Sequence, residues 1–408
     1  MHILLVADGR SPTALRWIQG LLALQHKVTL VSTFPCPEVT GVEALHIFPV
    51  AFSGLAGSQV GTTIQSSQPP GRLRSAVRRS RSLFLAGRYW FGPYSVWTYR
   101  RAFRRLVQTL QPDLVHSLRI PYESMLASYT PPGVPLAISI WGNDLTLHAH
   151  GSPWMRRLTR RTLQRADGLL ADAARDLRLA SQWGLRPGLP MKVVPGSGGL
   201  DLVEIHQVRA ESSEALAEML PAGVPLIINP RGFRPGSVRN DVFFQAIPLV
   251  LQRWPQARFV CAAMANQPEA AAWVERLNLG QSVRLLPYLP QTQLWDLFLR
   301  SEITVSVSEH DGTPNTLLEA MACGCFPVVG DIESLREWIT PGINGLLVEP
   351  TKPQALAEAL LTALEHPELR AAAAGINQKL IRERAEVNLV RAQVQIFYEQ
   401  VLAGKKTG

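Results

Sequence analysis

Ser308 to Val329 reads SEHDGTPNTLLEAMACGCFPVV, and the order of residue types within it decides the fold. The apolar run Ile303 to Val307 just before it predicts a strand. An acidic, glycine-bearing loop follows, and Pro314-Asn315 favours a turn. Thr316 to Cys323, rich in Leu, Ala, Met and Glu, predicts a short helix. Gly324 is the residue type that ends helices. Pro327-Val328-Val329 then predicts a second strand. Strand, loop, helix and strand in succession are the repeat of a parallel sheet wrapped by helices, which takes its ligands at the carboxyl ends of the strands.

Asp311 is placed by this reading on that loop, and Glu319 follows eight residues later on the helix. Gly312, Thr313, Pro314, Asn315 and Thr316 lead into the helix N-terminus, whose backbone N–H groups suit anionic or hydroxyl-rich ligands. A carboxylate accepts hydrogen bonds from sugar hydroxyls, often two at once. Two carboxylates at this spacing can hold the ribose and the hexose of one nucleotide-sugar. Equally, Asp311 can cap a helix while Glu319 pairs on its surface. Residue types alone leave both readings open.

The same alternation extends in both directions. Strands are predicted at Pro225–Ile228, Arg258–Cys261 and Val283–Leu286, with helices at Asn240–Arg253 and Gln354–Glu365. The N-terminal half opens on a strand at Ile3–Val6, then Ser11-Pro12 as a helix start. Leu15, Ile18, Leu21 and Leu22 are expected on that helix's apolar face, before a strand at Val28–Val31. Further strands are expected at Leu114-Val115, Leu136–Ile140 and Leu169–Ala171. Residues 53–70, rich in Gly, Ser, Gln and Thr, read as a loop. Glycines and Pro221 place an interdomain linker at 196–223. Residues 1–195 and 224–387 are therefore read as two domains, and 408 residues suit that number. A helix over Asn388–Leu402, apolar at Leu389, Val390, Val394, Phe397, Tyr398 and Val401, is the remaining element.

Composition narrows the class. Hydrophobic residues make up 46% and charged residues 18%, which argues for a folded globular chain. Four scattered cysteines exclude a disulfide framework, and Cys323-Gly324-Cys325 lacks the second pair or histidine that a zinc site requires. The opening apolar run is too short for a signal peptide, and no stretch reaches the roughly 20 apolar residues of a membrane span. The net charge of +9 favours anionic partners. Much of the basic excess lies between Arg72 and Arg105, interleaved with Phe84, Tyr89, Trp90, Phe91, Tyr94, Trp97, Tyr99 and Phe103. Such a segment suits an anionic membrane surface, or else a half-buried helical pair with a basic solvent face. No nucleic-acid motif is present, so nucleic acid is not an expected partner.

The 308–329 stretch resembles the signature of glycosyltransferase family 4. Glu319-Ala320-Met321-Ala322-Cys323-Gly324 and Pro327-Val328 carry the likeness, with one residue more before the proline. Glu337-Trp338-Ile339, Asn344-Gly345-Leu346-Leu347-Val348 and Pro350 continue it. The first acidic position is Asp311 where the family usually has Glu. The resemblance implies the GT-B fold, an α/β architecture of two Rossmann-like parallel-sheet domains facing across a cleft, with the C-terminal helix crossing back onto the first domain. It implies a retaining glycosyltransferase, hexosyl-transferring, with a nucleotide-sugar donor, a glycan or lipid-linked acceptor and no metal or other cofactor. Cell-envelope polysaccharide or glycolipid assembly, in the cytoplasm or on the inner membrane face, follows by the same analogy. Arg231 matches the family's diphosphate-binding arginine, and Arg239 is the nearest basic residue to its lysine. Trp141-Gly142-Asn143-Asp144 resembles the family's His-Gly-x-Asp segment. Trp141 there replaces the histidine, so Asp144, His148 or His150 is left as the acceptor's partner, unless Asp144 caps the helix expected after it. Gly9 and Arg10 resemble the loop after the first strand on the acceptor side. A nucleotide-sugar epimerase of the same fold and a non-catalytic binding module are the rival readings.

Overall fold

The structure, a computed structural model, describes residues 1–51, 53, 81–210, 223–234 and 236–406. The chain divides into two compact units, Met1–Gly199 with Asn388–Gly408, and Leu200–Val387. Residues 54–70 of the loop read at 53–70, the arginines from Arg72 to Arg79 and the linker proline Pro221 lie outside the described residues.

The first unit runs β1 (His2–Ala7), α1 (Pro12–Ala23), β2 (Lys27–Ser32), β3 (Ala44–Ile47), α2 (Arg81–Leu110), β4 (Leu114–Leu118) and β5 (Leu136–Ile140). It continues through α3 (Pro153–Arg165), β6 (Gly168–Ala171), α4 (Ala174–Gln182) and β7 (Met191–Val193). Its seven strands are ordered β3-β2-β1-β4-β5-β6-β7, and every pair is parallel. β1 pairs Ile3 with Val28 on one side and with Leu114 on the other. Chain order reverses between β1 and β4, so the carboxyl ends of these two strands form the switch point where such sheets hold ligands. Ile3 to Ala7 are wholly buried, as a strand covered by helices on both faces requires.

Helix α1 starts at Pro12 with Ser11 before it, although the Ser11 side chain makes no capping bond. Its buried face is Ala14, Trp17, Ile18 and Leu21. Leu15 and Leu22 are only partly buried.

The second unit runs α5 (Leu202–Ala210), β8 (Leu226–Asn229), α6 (Asn240–Arg253), β9 (Arg258–Cys261), α7 (Pro268–Arg276), β10 (Val283–Leu285) and α8 (Gln291–Leu299). It continues through β11 (Ile303–Ser306), α9 (Asn315–Cys323), β12 (Phe326–Gly330), α10 (Glu333–Arg336), β13 (Leu346–Val348), α11 (Pro353–Glu365) and α12 (Pro367–Arg384). The parallel order is β10-β9-β8-β11-β12-β13, with the switch point between β8 and β11. α9 ends at Gly324, whose φ of 93° is left-handed and favours a residue without Cβ. Cys325 is buried beside it, and its thiol donates to the carbonyls of Phe298 and Ser301. All four cysteines are free and buried.

The last helix, α13 (Val387–Lys406), belongs to the first unit, where Val390, Val394, Phe397, Tyr398 and Val401 join α1 and β1 in one core. The Tyr398 hydroxyl lies 2.8 Å from Nδ1 of His116 on β4. Nε2 of that ring lies 2.9 Å from the Ser139 hydroxyl on β5.

Candidate active site

In the second unit the loops leaving β8 and β11 flank the switch point, and an ion pair joins them. Arg231 Nη2 lies 2.9 Å from Asp311 Oδ2. The Arg231 backbone is fixed first: its N–H donates to Asn229 Oδ1, and Asn240 Nδ2 donates to its carbonyl. Asn229 and Asn240 are themselves bonded side chain to side chain. Arg231 is only 3% exposed. Its Nε and Nη1 are buried without a hydrogen-bond partner among the described residues. A buried N–H left unbonded costs about 1–3 kcal/mol, so these donors are set for acceptors from a ligand.

The loop after β11 is tied down at several points. Ser308 Oγ donates to Asp311 Oδ2 at 3.2 Å, and Gly312 N donates to Asp311 Oδ1 at 3.2 Å. Ser334 Oγ holds the Asp311 carbonyl, and Ser237 Oγ holds that of His310. Trp338 Nε1 donates to Thr313 Oγ1 at 2.9 Å. The segment therefore reaches the α9 N-terminus as a fixed cradle, with Pro314 at the N-cap and Asn315 as the first helical residue. The Thr316 hydroxyl beside it is buried and unbonded among the described residues, as is that of Ser306 at the end of β11. Glu319 lies one turn into α9, and it is buried. A solvent-facing pair on the helix surface is thereby ruled out for it, as is a helix-capping role for Asp311, which pairs with Arg231 instead.

Arg239 has a different environment. Its Nε and Nη2 donate to Asp241 at 2.9 and 2.8 Å, and its Nη1 donates to Glu309 at 3.0 Å. These bonds, that to Asp241 foremost, raise its pKa, and the Arg239 bond lowers that of Asp241. Its backbone N–H also bonds the Val307 carbonyl. With every guanidinium nitrogen engaged, Arg239 braces the loop entrance.

In the first unit, Gly9 and Arg10 follow β1. A Cβ at Gly9 would stand 2.6 Å from Cys36 Sγ, so the close approach of the two loops needs glycine. Arg10 turns back on its own loop, bonding Asp8 through Nε and Nη2 and covering the Phe34 ring at 3.8 Å. Trp141 is half-buried against the core of β1, β4 and α13. Asp144 caps no helix, because the chain turns through Leu147 into a short 3-10 segment instead. Its Oδ2 accepts from Ile120 N at 2.7 Å and Trp141 N at 3.1 Å, joining the loops after β4 and β5. Burial pushes its pKa up to about 7, against the Arg119 charge and these two bonds. His148 is occupied by the Tyr89 hydroxyl, and His150 packs edge-on against Trp183.

Sequence reasoning missed the group beside Asp144. Thr33 Oγ1 donates to Glu123 Oε1 at 2.8 Å, while Glu123 Oε2 is buried without a hydrogen-bond partner among the described residues, 3.8 Å from Arg119 Nε. Burial raises the Glu123 pKa. Burial opposes the Arg119 charge, but the carboxylates of Glu123, Asp144 and Asp8 prevail and raise its pKa. Arg88 lies 5.5 Å from the Tyr122 ring, with its Nε buried and unbonded among the described residues. These residues come from four separate stretches, and no spacing in the sequence marks them as a set.

Both units find counterparts among known proteins. Residues 8–197 match the Glycosyl transferase 4-like domain, and residues 238–379 match Glycosyl transferases group 1. Over 142 residues the chain is 27% identical to the D-inositol 3-phosphate glycosyltransferase of Thermobispora bispora, covering 32% of this chain and 33% of that protein. Over 253 residues it is 25% identical to the GDP-mannose:cellobiosyl-diphosphopolyprenol alpha-mannosyltransferase of Xanthomonas campestris, covering 61% and 63%. The chain thus spans less than two thirds of either relative's length. Two crystal structures share the fold over nearly their whole length. Anabaena HepE, in complex with UDP and glucose, aligns at 18% identity and a TM-score of 0.65, covering 97% of this chain and 98% of its own. The α,α-trehalose-phosphate synthase (UDP-forming) of Burkholderia vietnamiensis aligns at 14% identity and a TM-score of 0.71, covering 98% and 100%. With two parallel sheets of seven and six strands and a family match on each unit, the chain belongs to the GT-B glycosyltransferases of group 1.

Proposed function

We propose that the chain transfers a hexose from a nucleotide-sugar to an acceptor hydroxyl, with retention at the anomeric carbon. The observation that carries the donor site is Arg231, a buried guanidinium at the switch point, two of whose nitrogens are unbonded among the described residues. A diphosphate supplies the acceptor atoms those nitrogens lack, and a planar guanidinium can take two oxygens at once. The relatives crystallised with UDP support this reading. Glu319 and the loop Gly312–Thr316 hold the sugar and ribose hydroxyls, while Asp311 sets the Arg231 fork. Arg239 acts at one remove, as a positioning residue for the Glu309 end of the loop.

In the reaction the bond from the anomeric carbon to the diphosphate oxygen breaks, and the acceptor oxygen bonds to that carbon on the same face. The acceptor proton passes to the departing diphosphate oxygen, so no protein nucleophile is required. Arg231 and the N–H groups opening α9 stabilise the charge that develops on the leaving group. These groups serve in place of a bound metal ion, so EDTA leaves turnover unchanged. The acceptor lies at the other switch point, by Arg10, Arg88, Arg119 and Glu123. A glycan or lipid-linked acceptor of the cell envelope, glycosylated at the cytoplasmic face, suits the name of the Xanthomonas relative. Among the described residues no helix is long and apolar enough to cross a membrane.

The first test is thermal stabilisation by UDP, GDP and ADP without metal, since a ligand of the native state raises Tm with its concentration over Kd. One nucleotide family should stabilise the wild type, and Glu319→Gln should fold normally yet lose turnover. A well-folded chain that no nucleotide stabilises makes a binding module the better reading. Proton coupling at the new anomeric centre reports retention directly.

A further inference from the structure

We propose that the outer face of α2 and α3 seats the first unit on a bilayer surface containing anionic phospholipid. On α2 the side chains spaced three or four apart, Trp90, Tyr94, Trp97, Arg101 and Arg104, fall on one stripe and are all exposed. Trp90 is 53%, Phe91 64%, Tyr94 67% and Trp97 48% exposed. The opposite side of the helix, Val96, Phe103 and Val107, is completely buried in the core. The stripe therefore lies outside the core of the first unit. Tyr94 stacks on Trp97, and Arg100 covers the Trp97 ring at 3.6 Å, so the aromatic end of the stripe merges into its basic end.

Helix α3 extends the pattern. It carries five arginines and no acid in thirteen residues, with Trp154 56% exposed and Arg156 and Arg157 exposed beside it. The helices meet where Ser152 Oγ donates to the Tyr89 carbonyl. Trp90 and Trp154, each within two residues of that bond, therefore flank one junction. Charge chooses the occupant. Between Glu43 and Asp113 the sequence has ten arginines and no acidic residue or lysine, in a chain of 41 basic and 32 acidic side chains. In sequence that segment alone matches the net charge of +9, and among the described residues Arg101, Arg104 and Arg105 of it are exposed on α2. Exposed Trp and Tyr rings settle at the headgroup level of a bilayer, and adjacent arginines gain from anionic lipid. An acidic protein or a nucleic-acid duplex would match the charge but leave four contiguous aromatic rings without an apolar partner, and single-stranded RNA, whose bases can stack on such rings, is an arm of the test.

The test is cosedimentation of the full chain with vesicles of phosphatidylcholine alone and of phosphatidylcholine mixed with phosphatidylglycerol. Wild type should partition at least about tenfold more strongly onto the anionic vesicles, and salt should release it. Arg101→Gln with Arg104→Gln should lower that partition roughly 30-fold, at about a lipid contact's worth of energy per arginine. Tyr94→Ser with Trp97→Ser should lower it even at low salt. All four side chains are exposed, so the variants should melt with wild type, which excludes misfolding as the cause. Wild type that stays in solution with both vesicles, or binds both equally, overturns the proposal. So do variants that sediment like wild type, and so does tighter binding to single-stranded RNA than to the anionic vesicles.

Discussion

Arg231 holds a full charge in a place where the protein itself satisfies only part of it. Asp311 takes one nitrogen at 2.9 Å, and the other two are buried and unbonded among the described residues. Such a group is costly to the unliganded fold and valuable to a phosphate ligand, the exchange of stability for function seen at binding sites generally. Replacing the pair, Arg231→Met with Asp311→Asn, should therefore leave the unliganded Tm at or above that of wild type. The same variant should lose the nucleotide-induced rise in Tm and about 10²–10³ in kcat/KM. Loss of activity accompanied by a collapse in unliganded Tm would instead make the pair a structural clamp. The family resemblance pointed to Arg231 at the arginine position and to Arg239 as the nearest basic residue to the lysine. It could not separate them: the partners that occupy Arg239 are Asp241, two residues away, and Glu309, seventy residues away. Asp144 was singled out by the likeness of its segment to the family's His-Gly-x-Asp motif, but its bonds to Ile120 N and Trp141 N depend on how two distant loops meet.

At the scale of elements, the burial of His116 on β4 beneath α13 contributes to how the first unit responds to pH. Burial lowers the His116 pKa to about 3, against about 6.5 in an unfolded chain. The unfolded state then binds a proton that the folded unit excludes. The contribution is complete above about 6.5 and falls by up to about 1.4 kcal/mol per pH unit as the pH drops from there toward 3. Asp144 acts in the opposite sense. Its pKa of about 7 means the folded unit keeps a proton that the unfolded chain releases above about 3.9. That contribution is complete below about 3.9 and is lost as the pH rises toward 7. Between about 4 and 6.5 the two slopes largely cancel. Asp144→Asn removes one of them, so the melting point of the first unit should fall by roughly 3–6 °C per pH unit from pH 6.5 downward. Because the raised pKa of Glu123 adds a slope of the same sign as that of Asp144, Glu123→Gln is made in the same background, and a flat profile in the double variant would show that His116 does not titrate with folding.

A second element-level constraint lies at the end of β12. A Cβ on Gly330 would meet the Ser308 carbonyl oxygen at 2.6 Å and its amide nitrogen at 3.0 Å. Both contacts are backbone and cannot swing aside, and Ser308 opens the loop that holds Asp311. Gly330→Ala should cost about 1–3 kcal/mol and weaken nucleotide binding together with stability. Wild-type affinity in a destabilised protein would mean that the strain is absorbed in β12. The interior strands were legible because they are short, fully buried apolar runs, and α6 has the bounds read from its sequence. Of the four edge strands β10 was read from its Val283–Leu286 run, whereas β3, β7 and β13, each of three or four residues and mostly incompletely buried, were not.

At the scale of the molecule, two units of similar architecture gather different sets of charged residues at equivalent places, and the proposed function divides donor from acceptor between them. Each sheet reverses its strand order once, and each reversal collects charged residues from the loops beside it: Arg231 and Asp311 in one, Asp8, Arg10, Arg119 and Glu123 in the other. The family signature made the first collection visible in the sequence, since Asp311 and Glu319 stand in one helix-and-loop unit. The second has no signature because its members are spread over more than a hundred residues. If the division of labour holds, a nucleotide alone should order only the second unit. Hydrogen exchange with saturating UDP or GDP, whichever raises Tm, should slow the amides of 228–234 and 307–319. The amides at the ends of β1 and β4 should exchange as before. Protection rises with ligand as RT ln(1 + [L]/Kd), about 2.7 kcal/mol at a hundredfold excess over Kd, which is ample to resolve peptide by peptide. Slowing at residues 8–12 and 119–124 to the same degree would mean that the nucleotide reaches both switch points, and Arg119 and Glu123 would then belong to the donor site.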